Sequence, residues 1–160
     1  MRDEKNMPTV TDVLEELYRG PAYLIRRAQQ IATAIFAETC EELDLTPSQY
    51  SMLFALRRCG PVGQNELGRL VSLDRCTTSV VVGILNDRGL VVRLEYPNDR
   101  RRTMLSLTNS GRLLLGRAER LSTRASDRLL SVLNNNQART FVGLLEALVK
   151  SHEAKRPVAN

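Results

Sequence analysis

Apolar residues recur at helical spacing through the first quarter of the chain, at Leu14, Leu17, Leu24, Ile31, Ile35 and Leu43, with charged residues between them. Such spacing lines one face of a helix. The pattern predicts helix from about Thr11 to Leu43, divided at Gly20-Pro21 into a short and a long piece because proline removes a backbone donor. Thr46-Pro47-Ser48-Gln49 starts another helix: Thr46 caps it, Pro47 takes the first position, and Gln49 reaches back to the cap. Met52, Leu53 and Leu56 form its apolar face, and Gly60-Pro61 ends it. A short helix over Gly63 to Leu70 follows, with Gly63 at its cap. Asp74 caps the next, which runs to about Arg88 and closes on Gly89 as its left-handed residue.

The hydrophobic period then changes. Leu90 to Glu95 reads as a strand, Thr103 to Leu107 alternates and reads as its return, and Tyr96 to Arg102 is a turn. Together they make a hairpin with a long basic tip. Thr108 caps a long helix from about Asn109 to Leu133, broken by Asn134-Asn135-Asn136. A last amphipathic helix, about Gln137 to Glu153, carries Phe141, Leu144, Leu145, Leu148 and Val149. No internal repeat is evident. The predicted class is mainly α with a small β-wing: a helix–helix–hairpin unit flanked by helices on both sides.

Composition narrows the function. The 160 residues are 42% apolar and 26% charged, which suits a folded domain and excludes disordered and collagen-like chains. No apolar run reaches the roughly 18 residues of a membrane span, and the opening residues lack an apolar leader, so the expected location is cytoplasmic, without a membrane partner. Cys40, Cys59 and Cys76 are odd in number and widely spaced, which argues against a disulfide framework or a zinc site. With His152 the single histidine, and with no phosphate-cradling glycine loop or carboxylate pair, neither an enzyme nor a cofactor is expected. The net charge is +5, and 20 of the 23 basic residues are arginines, whose planar forks suit phosphates and base edges.

Position gives that charge meaning. Two short helices joined by Val71-Ser72-Leu73 and followed by a hairpin have the layout of a winged helix-turn-helix, whose second helix enters the DNA major groove. Its first residues, Arg75, Cys76, Thr77, Thr78 and Ser79, are short and polar with one long fork, while Val81 and Leu85 bury the opposite face. In the hairpin tip, Asn98-Asp99-Arg100-Arg101-Arg102, three adjacent arginines repel one another and gain by meeting phosphates or the minor groove. Asp99 can accept a hydrogen bond from Arg101 and hold its fork. A solvated turn, or an acidic protein surface as partner, are the competing readings.

These segments resemble the MarR-type transcriptional regulators. The matching stretches are Leu45 to Tyr50, Gln64 to Leu70, Asp74 to Thr78, Asp87 to Val91, Pro97 to Arg102 and Leu105 to Gly111. The most specific piece is the wing pattern Asp-x-Arg followed by Leu-x-Leu-Thr-x-x-Gly. The resemblance implies a homodimer that binds double-stranded DNA, most simply as a repressor on a near-palindromic operator. It divides the chain into N-terminal dimerisation helices (1–44), a DNA-binding lobe (45–108) and C-terminal helices completing the dimer (109–160). It implies that Arg75, Thr77, Thr78 and Ser79 face the major groove, that Asp99 orients Arg101 for the minor groove beside Arg100 and Arg102, and that Gln64 and Asn65 contact the DNA backbone. The chain departs from similar members in having Val80, Gly83 and Ile84 where arginine or other charges are common.

The resemblance also implies release of DNA by a small aromatic acid or phenol. Tyr23, Arg26 and Tyr50 are the candidates for holding it, on the expectation that Arg26 or Arg27 turns inward. Pairing of Arg26 with Glu42 or Glu146 is the alternative. A second trigger is oxidation of Cys76, which lies beside Arg75 at a helix start, where a thiol pKa is lowered.

Overall fold

The computed structural model describes residues 10–96 and 99–153, and for residues 10–13, 96 and 99–102 the backbone alone. Helix α1 is Val10–Arg19 and α2 is Pro21–Thr39, followed by a 3-10 turn, Glu41–Leu43. The lobe consists of α3 (Pro47–Cys59), β1 (Val62–Gly63), α4 (Gln64–Leu70), α5 (Arg75–Asp87), β2 (Val91–Tyr96) and β3 (Asp99–Leu107). Helices α6 (Asn109–Leu130) and α7 (Asn135–Glu153) complete the chain. The class is mainly α with a small antiparallel sheet, as the residue pattern predicts.

The caps lie where their side chains dictate. The Gln49 N–H donates to Thr46 Oγ1 at 3.2 Å and the Thr46 N–H to Gln49 Oε1 at 3.0 Å, a closed capping box. The Thr77 N–H donates to Asp74 Oδ1 at 2.9 Å, and the Gly111 N–H to Thr108 Oγ1 at 3.0 Å. Gly89 takes the left-handed conformation with φ +66°. Asn134, read from sequence as part of a break, is itself a cap. Its Oδ1 accepts from the Asn136 and Gln137 N–H groups, both at 3.0 Å.

Three boundaries differ from expectation. The second helix stops at Thr39, and the chain tightens into the 3-10 turn before Asp44 adopts a left-handed φ of 47°. That path turns Leu43 and Leu45 into the core, at 3% and 4% exposure. Helix α6 ends at Leu130, short of Leu133. The basic segment is less a loop than a strand, since β3 already begins at Asp99.

The sheet order is β1-β3-β2. Strand β1 pairs Val62 with Leu105 and Gly63 with Met104; two residues carry no readable period, which is why sequence missed it. In the hairpin, Glu95 lies opposite Thr103, but the next pair is Tyr96 with Asp99. The jump leaves residues 100–102 without partners on β2, so the backbone of the three arginines forms a bulge.

One continuous core joins Met52, Leu53 and Leu56 of α3 to Leu67, Leu85, Leu105 and Leu115, and takes in Phe36 and Cys40 of α2. The lobe is therefore fixed to α2 and α6. At the join, a Cβ built on Gly111 would lie 2.1 Å from the Leu90 carbonyl oxygen, and Thr108 Oγ1 donates to the Gly89 oxygen at 2.7 Å. Gly111→Ala must displace backbone and is expected to cost about 3 kcal/mol, or about 10 °C in melting temperature. Gly83→Ala is the control: nothing lies within 4 Å of its Cβ position, and a helical alanine should stabilise. Equal melting temperatures for Gly111→Ala and the parent would refute the close approach.

Candidate nucleic-acid interface

Helix α5 stands on the lobe with one face buried. Val82 and Leu85 are 1% and 0% exposed, and Val81 is also buried. Thr78 shares this face and is 2% exposed, its hydroxyl directed at the Leu73 carbonyl at 3.5 Å and packed against Gly68. The assignment of Thr78 to the major groove is thus corrected: it is a core residue. The signal was present, since Thr78 lies three residues before Val81 and seven before Leu85, one stripe of a helix.

Arg75, Cys76 and Ser79 are exposed at the start of α5, and Thr77 is half-buried. Thr77 is partly committed to the cap, its hydroxyl and N–H both bonding Asp74. Those bonds, the hydroxyl's first, hold the Asp74 carboxyl below the usual carboxylate range. On the neighbouring helix, Asn65 is exposed, and Gln64 Oε1 accepts from Arg93 Nη2 at 3.1 Å, tying α4 to the wing. An open groove of about 670 Å³ runs between α4 and β3, lined by Gln64, Asn65, Glu66, Arg69, Thr103 and Met104. Asn98 and the side chains of Asp99, Arg100, Arg101 and Arg102 lie outside the described residues.

Arg88, at the end of α5, donates through Nη2 to the Leu43 oxygen at 2.9 Å and through Nη1 to the Asp44 oxygen. It charge-assists two carbonyls of the left-handed bend and so locks α5 to the entry of α3. The bend itself could not be read from sequence, so this role was missed.

The expected effector residues separate into two places. Arg26 lies over the Tyr23 ring at 5.2 Å, and Tyr23 meets Tyr18 at 5.1 Å. Tyr50 instead packs between Phe36 and Phe54, at 5.7 and 6.0 Å. Tyr23 and Phe36 are thirteen positions apart on α2, about 20 Å along its axis. Within one chain Tyr23, Arg26 and Tyr50 therefore do not form a single pocket. Arg26 and Arg27 are both exposed, so the inward arginine is also corrected. Neither proposed acid pairs with Arg26: Glu42 bonds Arg117 at 3.3 Å and Glu146 bonds Lys150 at 3.2 Å. A cleft of about 320 Å³ lies between α2 and α6, lined by Gln29, Thr33, Phe36, Pro47, Ser122 and Ser126 among others.

Cys40 is fully buried, which pushes its thiol pKa up; Cys59 and Cys76 are exposed. Among the described residues there is no cluster of three metal-ligating side chains, and no helix is long and apolar enough to cross a membrane.

A helix–turn–helix with a three-stranded wing, held between long helices, defines the winged-helix class. The model of the MarR family matches residues 45–103, from the entry of α3 through the basic bulge. The HTH-type transcriptional repressor NicR of Pseudomonas putida is 33% identical over 145 residues, covering 91% of this chain and 89% of NicR. The repressor CouR, solved bound to a 23-mer DNA duplex, is 31% identical with a TM-score of 0.78, covering 85% of this chain and 96% of CouR. Bordetella bronchiseptica BpsR, whose DNA binding is regulated by 6-hydroxynicotinic acid, is 28% identical with a TM-score of 0.77, covering 82% and 94%. The chain belongs to the MarR family of winged-helix transcriptional regulators.

Proposed function

We propose that this regulator is a repressor that grips a near-palindromic operator as a homodimer and lets go when a small aromatic acid binds. The supporting observation is the exposed N-terminal turn of α5, with Arg75 and Ser79 open to solvent on the lobe that also carries the arginine bulge. Arg75 and Ser79 read the major groove and Thr77 supports the turn. Gln64 and Asn65 meet the sugar-phosphate backbone, and Arg100, Arg101 and Arg102, with Asp99 as orienter, take phosphates or the minor groove. Likeness to CouR, solved on a duplex, supports the partner.

Dimerisation rests on unpartnered apolar surface. Helix α7 buries none of its residues within the chain, and Leu17, Leu24, Leu144 and Leu148 are 53%, 52%, 65% and 44% exposed. Residues 1–44 and 109–160 then form the dimerisation domain around two lobes, 45–108, spaced by about one turn of DNA. The effector is assigned to the cleft between α2 and α6, where Phe36, backed by Tyr50, supplies an aromatic face and Gln29, Thr33, Ser122 and Ser126 supply polar groups. Likeness to BpsR supports an aromatic acid as its chemistry.

Selection of bound duplexes from a random pool tests the reading. The expected product is an inverted repeat whose binding falls steeply with salt. Arg75→Ala should relax preference at one or two base pairs by about tenfold or more, leaving the others unchanged. A uniform loss across sequences would make Arg75 a phosphate contact, and no enrichment at all would exclude operator binding.

A further inference from the structure

The outward face of α5 is not the polar surface that hydrogen-bond readout requires. With the buried face set by Thr78, Val81, Val82 and Leu85, the ridge pointing directly away from the lobe is Cys76, Val80, Gly83 and Asp87. Val80 is 62% exposed, and the space beside Gly83 is open. Arg75 and Ser79 flank this ridge. Its centre therefore offers an isopropyl group and bare backbone. Arg75 stands in the first turn and Asp87 is the last residue of the helix. The helix dipole favours a polyanion at the first end over the last.

An apolar side chain at that position cannot exchange hydrogen bonds with base edges. In the major groove one base presents an apolar group, the 5-methyl of thymine. Gly83, lacking a Cβ, lets the helix backbone approach closely enough for a side chain as short as valine to reach it. We propose that Val80 is a specificity-determining residue which reads thymine 5-methyl groups in each half-site by apolar contact. The consequence is an operator with A·T pairs under the middle of α5, discriminated by a methyl group rather than by donors and acceptors. This rests on the DNA-binding reading above.

The test uses the full-length protein and the duplex it selects from a random pool, synthesised with thymine or with deoxyuridine in the half-sites. Base pairing is unchanged and only the methyls are lost. Fluorescence anisotropy of labelled duplexes gives both affinities. The parent protein is expected to bind the deoxyuridine duplex about fourfold more weakly for each methyl contacted. Val80→Ala, at an exposed position where folding is checked by circular dichroism and melting temperature, should bind the two duplexes nearly equally. Val80→Ile should restore the preference.

Tight, salt-dependent binding with equal affinity for both duplexes would overturn the methyl readout while leaving DNA binding intact. A thymine preference that survives in Val80→Ala would overturn the assignment to Val80. Failure to bind any selected duplex would instead remove the DNA-binding reading itself, and this inference with it.

Discussion

Replacing Arg100, Arg101 and Arg102 together by alanine is expected to weaken operator binding about a thousandfold near physiological salt and to flatten its salt dependence. Three adjacent guanidinium groups in an unpaired bulge give each lobe up to three phosphate or minor-groove contacts, and a dimer six. Each phosphate neutralised adds about 0.9 to the slope of log affinity against log salt, so the slope should drop by about five if all six are made. The triple lysine variant separates two modes. If the arginines act as charges on phosphates, lysine retains most of the affinity. If Arg101 sits in the minor groove held by Asp99, lysine loses the fork and behaves nearly like alanine. Arg101→Ala alone should reduce binding without altering the oligomeric state measured by light scattering. An unchanged salt slope in the triple alanine variant would remove the wing from the interface.

The lobe was readable from sequence because its signals are local. The Thr46–Gln49 box, the Asp74 and Thr108 caps, and Gly89 each fix a boundary through atoms within three or four residues of one another. Features set by distant atoms were not readable. Strand β1 exists because Val62 and Gly63 find Leu105 and Met104 some forty residues later. The bulge exists because Tyr96 pairs with Asp99 instead of continuing the ladder. Among the site residues, Arg75 and Ser79 at the start of α5 are exposed, whereas Thr78 is buried, which a threonine run that looks uniformly polar does not reveal. A buried threonine beside Gly68 is revealed only when the apolar stripe is extended backward by one turn. The effector residues separate for a simpler reason. Tyr23 and Arg26 lie one helical turn apart and meet, while Tyr50 lies on another helix to which no local register relates them.

Leu144→Glu combined with Leu148→Glu is expected to yield monomers that bind a two-half-site operator about a thousandfold more weakly than the parent. Phe141, Leu144, Leu145 and Leu148 fall at i, i+3, i+4 and i+7 on α7, a continuous apolar stripe with 38%, 65%, 39% and 44% exposure. Two carboxylates on that stripe would have to be desolvated if a second chain covered it. The lobe's own core, from Met52 to Leu115, contains no residue of α7, so the monomer should keep its helices and wing by circular dichroism. What it loses is the tether. In a dimer, one bound lobe raises the effective concentration of the other at its half-site, a gain of about a hundred- to ten-thousandfold that a monomer forgoes. The same variant on a single half-site duplex should differ little from one lobe of the parent, because every base-reading residue is still present. Light scattering gives the mass and anisotropy the two affinities. Dimers of unchanged mass would show that α7 is not the interface, whereas monomers with full operator affinity would show that the two lobes never acted together.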